Sequence, residues 1–139
     1  MPDIAYIALG SNLGEREQIL SRARSAIGEI DGVEVIDASR IEETEPIGPV
    51  PQGPFLNQML SVSTSLSPRG LLGALQEIEH AEGRQRTTRW GPRTLDLDIV
   101  MSDGVEFSDE AVTVPHPELA NRDFWQRELA ELRGVINGG

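Results

Sequence analysis

The sequence has no cysteine and no lysine, few aromatic residues and no long apolar run. Without cysteine, disulfide bonds, thiolate metal sites and cysteine nucleophiles are excluded. Without lysine, neither a catalytic lysine nor the lysine of a phosphate-binding loop is available, and all 12 basic residues are arginines. No apolar run approaches the length of a membrane span, and the first residues do not resemble a signal peptide. We therefore expect a cytoplasmic location and no membrane partner.

Basic charge is also scarce, since 23 acidic residues stand against 12 basic ones and the formal net charge is −11. Binding of nucleic acid through a broad basic surface is not expected with this balance. The 139 residues suffice for one core but not for two, and the hydrophobic and charged fractions, 38% and 25%, are those of a globular protein. We expect one domain over residues 1–139, with a short frayed tail from about residue 133.

Against this acidic background, one short segment is basic. Four arginines, Arg84, Arg86, Arg89 and Arg93, lie within residues 84–93. Guanidinium groups make bidentate, charge-assisted contacts with phosphate oxygens. The local reversal of charge therefore predicts a phosphate-binding loop.

Two carboxylates follow this segment in alternation. In an extended strand Asp96 and Asp98 point to the same face, about 6.6 Å apart along the backbone. The opposite, buried face is predicted to hold Leu95, Leu97, Ile99 and Met101. Oxygen ligands at this spacing suit Mg²⁺ bound to a polyphosphate. A half-exposed amphipathic strand without metal would show the same alternation, and the strand alone does not separate the two interpretations.

The apolar periodicity predicts an α+β fold. Strands are predicted over residues 4–9, 33–44 and 55–64, at Asp96 and its neighbours, and over 112–114. Asn12 and Glu15 have the spacing of a capping box before a first helix, and Ser67-Pro68 is typical of the start of a second helix that ends at Gly83. Two split β-α-β units of this kind predict a ferredoxin-like antiparallel sheet with helices packed on one face.

Three further groups of residues have both a functional and a structural interpretation. Phe55 and Asn57 share one strand face, where they would stack on a flat heterocycle and bind its edge, or serve as a core ring and a solvent-facing amide. His116, between two prolines, is either a donor to phosphate or a structural histidine. The turn at Arg122 and Phe124 is either part of a site or an ordinary helix start capped by Asn121.

Several motifs together resemble one known family, the 6-hydroxymethyl-7,8-dihydropterin pyrophosphokinases of folate biosynthesis. The longest is the run RWGPRTLDLDI, residues 89–99. The others occur in the family's order along roughly residues 4–132: Ala8-Leu9-Gly10-Ser11-Asn12-Leu13-Gly14, Thr44-Glu45-Pro46-Ile47-Gly48, Phe55-Leu56-Asn57, Glu79-His80-Ala81-Glu82-Gly83-Arg84 and Val114-Pro115-His116-Pro117.

The resemblance implies transfer of a diphosphate from ATP to the hydroxymethyl group of the pterin, giving AMP and the pterin diphosphate. It implies that Asp96 and Asp98 hold two Mg²⁺ ions and that Arg84 and Arg93 stabilise charge during transfer. The implied pterin-binding residues are Thr44, Glu45, Pro46, Ile47, Phe55, Asn57, Trp90 and Phe124. The implied nucleotide-binding residues are Gln76, Glu79, Arg84, Arg86, Trp90, Arg93, Ile99, Thr113, His116 and Arg122.

The expected partners are therefore the two small substrates, ATP and the pterin. A monomer is expected, with association with other folate-pathway enzymes left open. Two alternatives also stay open: a non-catalytic member that binds pterin or nucleotide, and an unrelated Mg²⁺-dependent phosphotransferase on the same fold.

Overall fold

The computed structural model describes residues 2–12, 15–45, 53–82 and 95–134. Its strands are β1 (Asp3–Ser11), β2 (Val33–Ala38), β3 (Glu42–Thr44), β4 (Phe55–Thr64), β5 (Asp96–Ser102), β6 (Phe107–Ser108) and β7 (Thr113–Val114). Its helices are α1 (Arg16–Gly28), α2 (Pro68–Ala81) and α3 (Asp123–Arg133), and a short 3₁₀ helix spans Leu119–Asn121. Of the helices in these segments, none is long and apolar enough to cross a membrane.

The main sheet is antiparallel and has the strand order β2-β4-β1-β5, with β3 paired to β4 beyond the end of β2. A separate pair is formed by β6 and β7. Both β1 and β2 run antiparallel to β4, so they are parallel to each other and α1 connects them. The predicted α+β class is confirmed.

The two faces of the sheet carry two hydrophobic clusters. Helices α1 and α2 cover the larger one, in which Ile7, Leu20 and Leu75 are fully buried. On the opposite face, α3 brings Trp125 onto a smaller cluster. The expectation of helices on one face therefore holds for α1 and α2 but not for α3. We call the face covered by α1 and α2 the first face, and the face covered by α3, the helix of the second face, the second face.

Local patterns explain where the elements begin. The hydroxyl of Ser67 accepts a hydrogen bond from the N–H of Gly70 at 3.1 Å, and Pro68 occupies the first turn, as predicted for α2. The predicted capping box is wrong, because α1 begins after Glu15 without a side-chain cap and Asn12 donates instead to the carbonyl of Gly53, at 3.2 Å.

Two strand predictions need correction. The strand predicted over 33–44 is divided, since Ser39 leaves the ladder and its hydroxyl and N–H bind the main chain of Met59. In β5 the register shifts by one residue at Val100, so that Tyr6 opposes Met101 while Ile7 opposes Ile99. Met101 therefore belongs to the second cluster, on the face of Asp98, and not to the face of Leu97.

Candidate active site

The two acidic side chains of β5 share one face of the sheet, as predicted. This is the second face. Asp96 and Asp98 are partly exposed, whereas Leu95, Leu97 and Ile99 are buried in the first cluster. Across the ladder, Asp96 is paired with Gly10 and Asp98 with Ala8. The neighbouring strand β1 therefore presents only small residues beside the two carboxylates.

Glycine at position 10 follows from a close approach on its other side. Gly10 is also paired with Asn57 of β4. A Cβ at position 10 would lie 3.2 Å from Oδ1 of Asn57 and 3.5 Å from a ring carbon of Phe55. Asp96, Gly10 and Asn57 thus form one row across three strands, with carboxylate and amide on either side of a bare backbone.

The amide of Asn57 is oriented by β3. Its Nδ2 donates to the hydroxyl of Thr44 at 2.6 Å, and Thr44 is paired with Phe55. Thr44 and Phe55 are partly exposed, Asn57 is 7% exposed, and Glu45 is exposed directly after β3. The structure therefore brings together Thr44, Phe55 and Asn57, a hydroxyl, a ring and an amide at one end of the sheet.

His116 is held in a single orientation beside Asp98. The ring Nδ1 accepts a hydrogen bond from the main-chain N–H of Glu118 at 3.0 Å, and the main-chain N–H of His116 donates to the carbonyl of Val100 at 2.8 Å. Because Nδ1 accepts, the neutral ring carries its proton on Nε2. That nitrogen lies 3.7 Å from Oδ1 of Asp98. The structure thus places an N–H donor next to Asp98.

A residue that the sequence analysis did not select, Trp125, supports two of those that it did. Trp125 is 3% exposed, and its ring packs edge to face against the ring of His116 with the ring centroids 4.9 Å apart. The guanidinium of Arg122 stacks over it at 4.4 Å. The sequence signal that could have identified Trp125 was the pair of adjacent aromatic residues at the start of α3. The other member, Phe124, is partly exposed, and its ring centroid lies 6.2 Å from that of Trp125.

Glu79, one of the nucleotide residues implied by the resemblance, is buried and bound to the main chain of β5. It is 7% exposed, and its Oε2 accepts the N–H of Leu97 at 2.8 Å. Leu97 lies between Asp96 and Asp98, so this carboxylate holds the strand from behind the acidic pair. Gln76, one turn earlier on α2, is exposed.

Two other predicted nucleotide residues differ in what they can offer. The side chain of Ile99 is 3% exposed in the first cluster, so only its main chain, on an edge strand, is available to a ligand. Thr113 is exposed on β7, where its hydroxyl lies 3.1 Å from that of Ser108.

The remaining predicted site residues lie outside the described residues. They are Pro46, Ile47, Arg84, Arg86, Trp90 and Arg93.

Two polar residues near the start of the chain were also missed as contributors to this end of the sheet. Arg16 donates to the carbonyl of Pro54 at 3.0 Å and to the carboxylate of Glu43 at 3.1 Å, and Asn12 donates to the carbonyl of Gly53. Their acceptors adjoin Thr44 and Phe55. The sequence offered no signal for these contacts beyond the position of both residues near the turn after β1.

The acidic pair fits a cation that brings its own ligands. Among the described residues, no group of three or more acidic, histidine or cysteine side chains is placed to hold a metal ion. Mg²⁺ is commonly held by one or two carboxylates together with substrate phosphates and water. Asp96 and Asp98 are two such carboxylates, partly exposed on one face.

A carboxylate pair on the edge strand of an antiparallel α+β sheet, an aromatic-amide group on β4 and four arginines in the sequence before β5 are the features expected of the class of enzymes that bind phosphate groups and a flat substrate. The family model described as 7,8-dihydro-6-hydroxymethylpterin-pyrophosphokinase (HPPK) matches residues 6–134. The chain belongs to this family, as the sequence motifs predicted. It is a pyrophosphokinase of folate biosynthesis, and enzymes of this type are ATP-dependent diphosphotransferases.

Two relatives show how close the match is. The chain is 45% identical over 132 residues to the 2-amino-4-hydroxy-6-hydroxymethyldihydropteridine pyrophosphokinase of Bacillus subtilis (strain 168), covering 95% of this chain and 79% of that protein. The enzyme of the same name from Haemophilus influenzae (strain ATCC 51907 / DSM 11121 / KW20 / Rd) is 41% identical over 128 residues, with 92% and 80% covered.

The fold is also found in a solved structure of a longer protein, described as HPPK-DHPS in complex with substrates. The two superpose with a TM-score of 0.69 at 13% identity, over 95% of this chain and 40% of the other. This likeness supports the fold alone.

Proposed function

We propose that the chain transfers the terminal diphosphate of ATP to the hydroxymethyl group of 6-hydroxymethyl-7,8-dihydropterin in a Mg²⁺-dependent reaction. The observation that carries the proposal is the row Asp96-Gly10-Asn57, which sets a carboxylate pair and an aromatic-amide group on one face of the sheet with bare backbone between them. Two substrates must meet in this reaction, and the row provides one polar anchor for each.

The pterin side is assigned to the end of the β3–β4 ladder. Phe55 and Phe124 are proposed to stack on the ring, and Asn57 and Thr44 to bind its polar edge. The hydrogen bond from Asn57 to Thr44 orients the amide before substrate arrives, which reduces the entropy lost on binding. Glu45, Pro46, Ile47 and Trp90 are proposed to complete this side.

The nucleotide side is assigned to β5, α2 and the segment around His116. Asp96 and Asp98 are proposed to hold two Mg²⁺ ions, which when bound would neutralise the phosphate oxygens of ATP. The Nε2–H of His116 and the guanidinium of Arg122, both supported by Trp125, are proposed to bind phosphate oxygens. The other proposed nucleotide residues are Gln76, Glu79, Arg84, Arg86, Trp90, Arg93, Ile99 and Thr113.

The reaction asks the protein mainly to align two substrates and to stabilise charge. The hydroxyl oxygen of the pterin forms a bond to the β-phosphorus of ATP while the bond from that phosphorus to the α,β-bridging oxygen breaks. AMP leaves with this oxygen, and the hydroxyl proton passes to a neighbouring acceptor. Arg84 and Arg93 are proposed to stabilise the charge that grows during transfer.

The finer structural assignments belong to the same proposal. The order of strands and helices supports a ferredoxin-like arrangement of two split β-α-β units. We also propose a single domain over residues 1–139, a monomer, and a cytoplasmic location.

The decisive experiment follows ATP and its products in the presence and absence of the pterin. We expect AMP, not ADP, to form in a 1:1 ratio with the pterin diphosphate, and only when both Mg²⁺ and hydroxymethyl-dihydropterin are present. Release of ADP would indicate an ordinary kinase. Binding of both substrates without turnover would indicate a non-catalytic member of the family.

A further inference from the structure

Arg16 joins three parts of the chain that meet behind the pterin side of the site. It is the first residue of α1, and its side chain is 31% exposed. One Nη donates to the carbonyl of Pro54 at 3.0 Å and the other to the carboxylate of Glu43 at 3.1 Å. The contacts use the planar fork of the guanidinium, which a lysine could not reproduce.

Both acceptors adjoin residues of the site. Glu43 precedes Thr44 on β3, and Pro54 precedes Phe55 on β4, where Thr44 and Phe55 form a directly opposed pair. Because side chains alternate along a strand, Glu43 points to the face opposite to that of Thr44. Arg16 therefore holds the end of this ladder from the first face and does not itself enter the site.

A second contact acts in the same place. Asn12, 9% exposed at the end of β1, donates to the carbonyl of Gly53 at 3.2 Å. The short stretch that leads into Phe55 is thus attached on consecutive carbonyls, by Asn12 at Gly53 and by Arg16 at Pro54.

The ion pair contributes little to folding, because a half-exposed pair is screened by water. The contacts do restrict where the ring of Phe55 and the hydroxyl of Thr44 lie, since both are only partly buried at the end of the sheet. A flat ligand that stacks on the ring while it binds the polar edge needs the two at a fixed separation.

We propose that Arg16 is a positioning residue for the flat-ring substrate, acting through Glu43 and Pro54 on Thr44 and Phe55. This inference depends on the proposed function. Removing Arg16 weakens binding of the pterin while binding of the nucleotide and the stability of the fold are left nearly unchanged.

The test compares Arg16→Met with wild type and with Arg69→Met. Arg69 forms an exposed ion pair of the same kind with Asp109, at 3.3 Å, and stands in the first turn of α2, which follows the far end of β4. We expect Arg16→Met to raise the Kd and the KM for the pterin about fivefold, which corresponds to about 1 kcal/mol. Its kcat, its Kd for a nonhydrolysable ATP analogue with Mg²⁺ and its Tm should stay close to wild type, and Arg69→Met should change none of these.

Two more variants test the route of the effect. Glu43→Gln keeps the length of the side chain but removes its charge, so it should weaken pterin binding less than Arg16→Met does. The double variant should bind pterin no more weakly than Arg16→Met alone, because Arg16→Met already removes the contact with Glu43. Arg16→Lys should restore pterin binding only in part.

Each outcome bears on the inference. An unchanged pterin Kd in Arg16→Met, with an active wild type, overturns it and leaves the proposed function intact. An equal weakening of pterin and nucleotide binding together with a lower Tm also overturns it, since that result indicates a general structural role. A wild-type protein that binds no pterin overturns both this inference and the proposed function.

Discussion

At the scale of single residues, the acidic pair illustrates how far alternation along a strand predicts a site. Asp96 and Asp98 share a face because side chains in β5 alternate, and Leu97 is buried on the other face. The same rule fails at Met101, three residues after Asp98, because the extra residue at Val100 shifts the alternation. A bulge of this kind depends on pairing with a strand that is distant in sequence, so it leaves no local signal.

The orientation of His116 and its support by Trp125 were also beyond reach of the sequence. Proline on both sides indicated a fixed backbone, but which nitrogen faces the acidic pair depends on the N–H of Glu118. The two ring contacts of Trp125 depend on packing between α3 and the segment after β7. Residue types at the site were predictable, whereas the residues that orient them were not.

The first prediction concerns the carboxylates. Asp98→Asn keeps the size of the side chain but removes the charge that a divalent cation needs. Substituting groups that only orient metal ligands typically costs about 10–100-fold in activity, and a ligand itself should cost at least as much. We expect kcat to fall about a hundredfold or more and Tm to change by less than about 2 °C, since Asp98 is partly exposed. Asp3→Asn, an exposed acid at the start of β1, is the control.

The measurement is pterin-dependent AMP release at increasing Mg²⁺ concentration, with Tm followed in parallel. A near-normal rate in Asp98→Asn at low Mg²⁺ would contradict metal ligation by this residue.

The second prediction uses the fixed tautomer of His116. In glutamine the amide nitrogen can occupy the place of Nε2, whereas in asparagine the polar atoms lie nearer the place of Nδ1. If the Nε2–H binds phosphate, a lost charge-assisted hydrogen bond costs about 1.5–3 kcal/mol, or about tenfold to a hundredfold in affinity. His116→Gln should therefore retain more affinity for the ATP analogue than His116→Asn. The two Kd values, measured by calorimetry, check this, and the reverse order would show that Nε2 is not the donor.

At the scale of elements, strongly patterned segments were predicted well and weakly patterned ones were not. Strand β4 has the predicted bounds, and α2 begins at the predicted cap. Helix α3 was recognised only as one of two interpretations, because its sequence DFWQRELAELR is mostly polar. Its stability comes from the contact of Trp125 with the second face, a tertiary effect that local propensity does not contain.

One acidic residue of α3 is buried. Glu128 is 1% exposed, and among the described residues neither of its carboxylate oxygens has a hydrogen-bond partner. Burial, followed by the nearby carboxylate of Glu42, raises the pKa of Glu128 to about 9, against an opposing effect of Arg127 and a further increase from Glu131. The helix of the second face therefore packs on the sheet with this carboxyl group protonated at neutral pH.

The third prediction follows from the sign of this shift. The pKa of Glu128 in the folded protein, about 9, lies above its ordinary value of 4.5. The unfolded chain therefore loses this proton near pH 4.5, whereas the folded protein keeps it up to about pH 9. The free energy of unfolding should fall as pH rises through this window, by at most about 1.4 kcal/mol per pH unit from this one group. Glu128→Gln should remove that contribution and become more stable relative to wild type from pH 5 to pH 8.

Urea unfolding of both proteins at pH 5, 6, 7 and 8 measures the difference, with Glu106→Gln, an exposed site, as control. A difference between Glu128→Gln and wild type that is the same at pH 5 and pH 8 would show that Glu128 ionises normally.

At the scale of the whole molecule, charge and core are arranged differently from what composition suggests. The net charge of −11 does not leave the arginines unpaired, since six of the eight in the described segments form ion pairs with carboxylates. The basic segment 84–93 is thus the notable concentration of positive charge in an otherwise acidic sequence. This distribution favours a small anionic ligand at one place over binding to an extended polyanion.

The two hydrophobic clusters lie on opposite faces of the same strands, β1, β4 and β5, so we expect them to unfold together. Met59, fully buried in the second cluster, is followed in β4 by Leu60, fully buried in the first. Met59→Ala should lower the free energy of unfolding by about 2–5 kcal/mol, whereas Ile36→Ala, at a site 53% exposed on β2, should change it by less than about 0.5 kcal/mol.

In a Trp90→Phe background Trp125 is the sole tryptophan, so its fluorescence reports on the second face and far-UV circular dichroism on the whole fold. Coincident urea transitions in Met59→Ala are expected of one cooperative unit. A fluorescence transition at lower urea than the dichroism transition would mean that α3 and its cluster separate from the sheet first, taking Phe124 and the support for His116 with them.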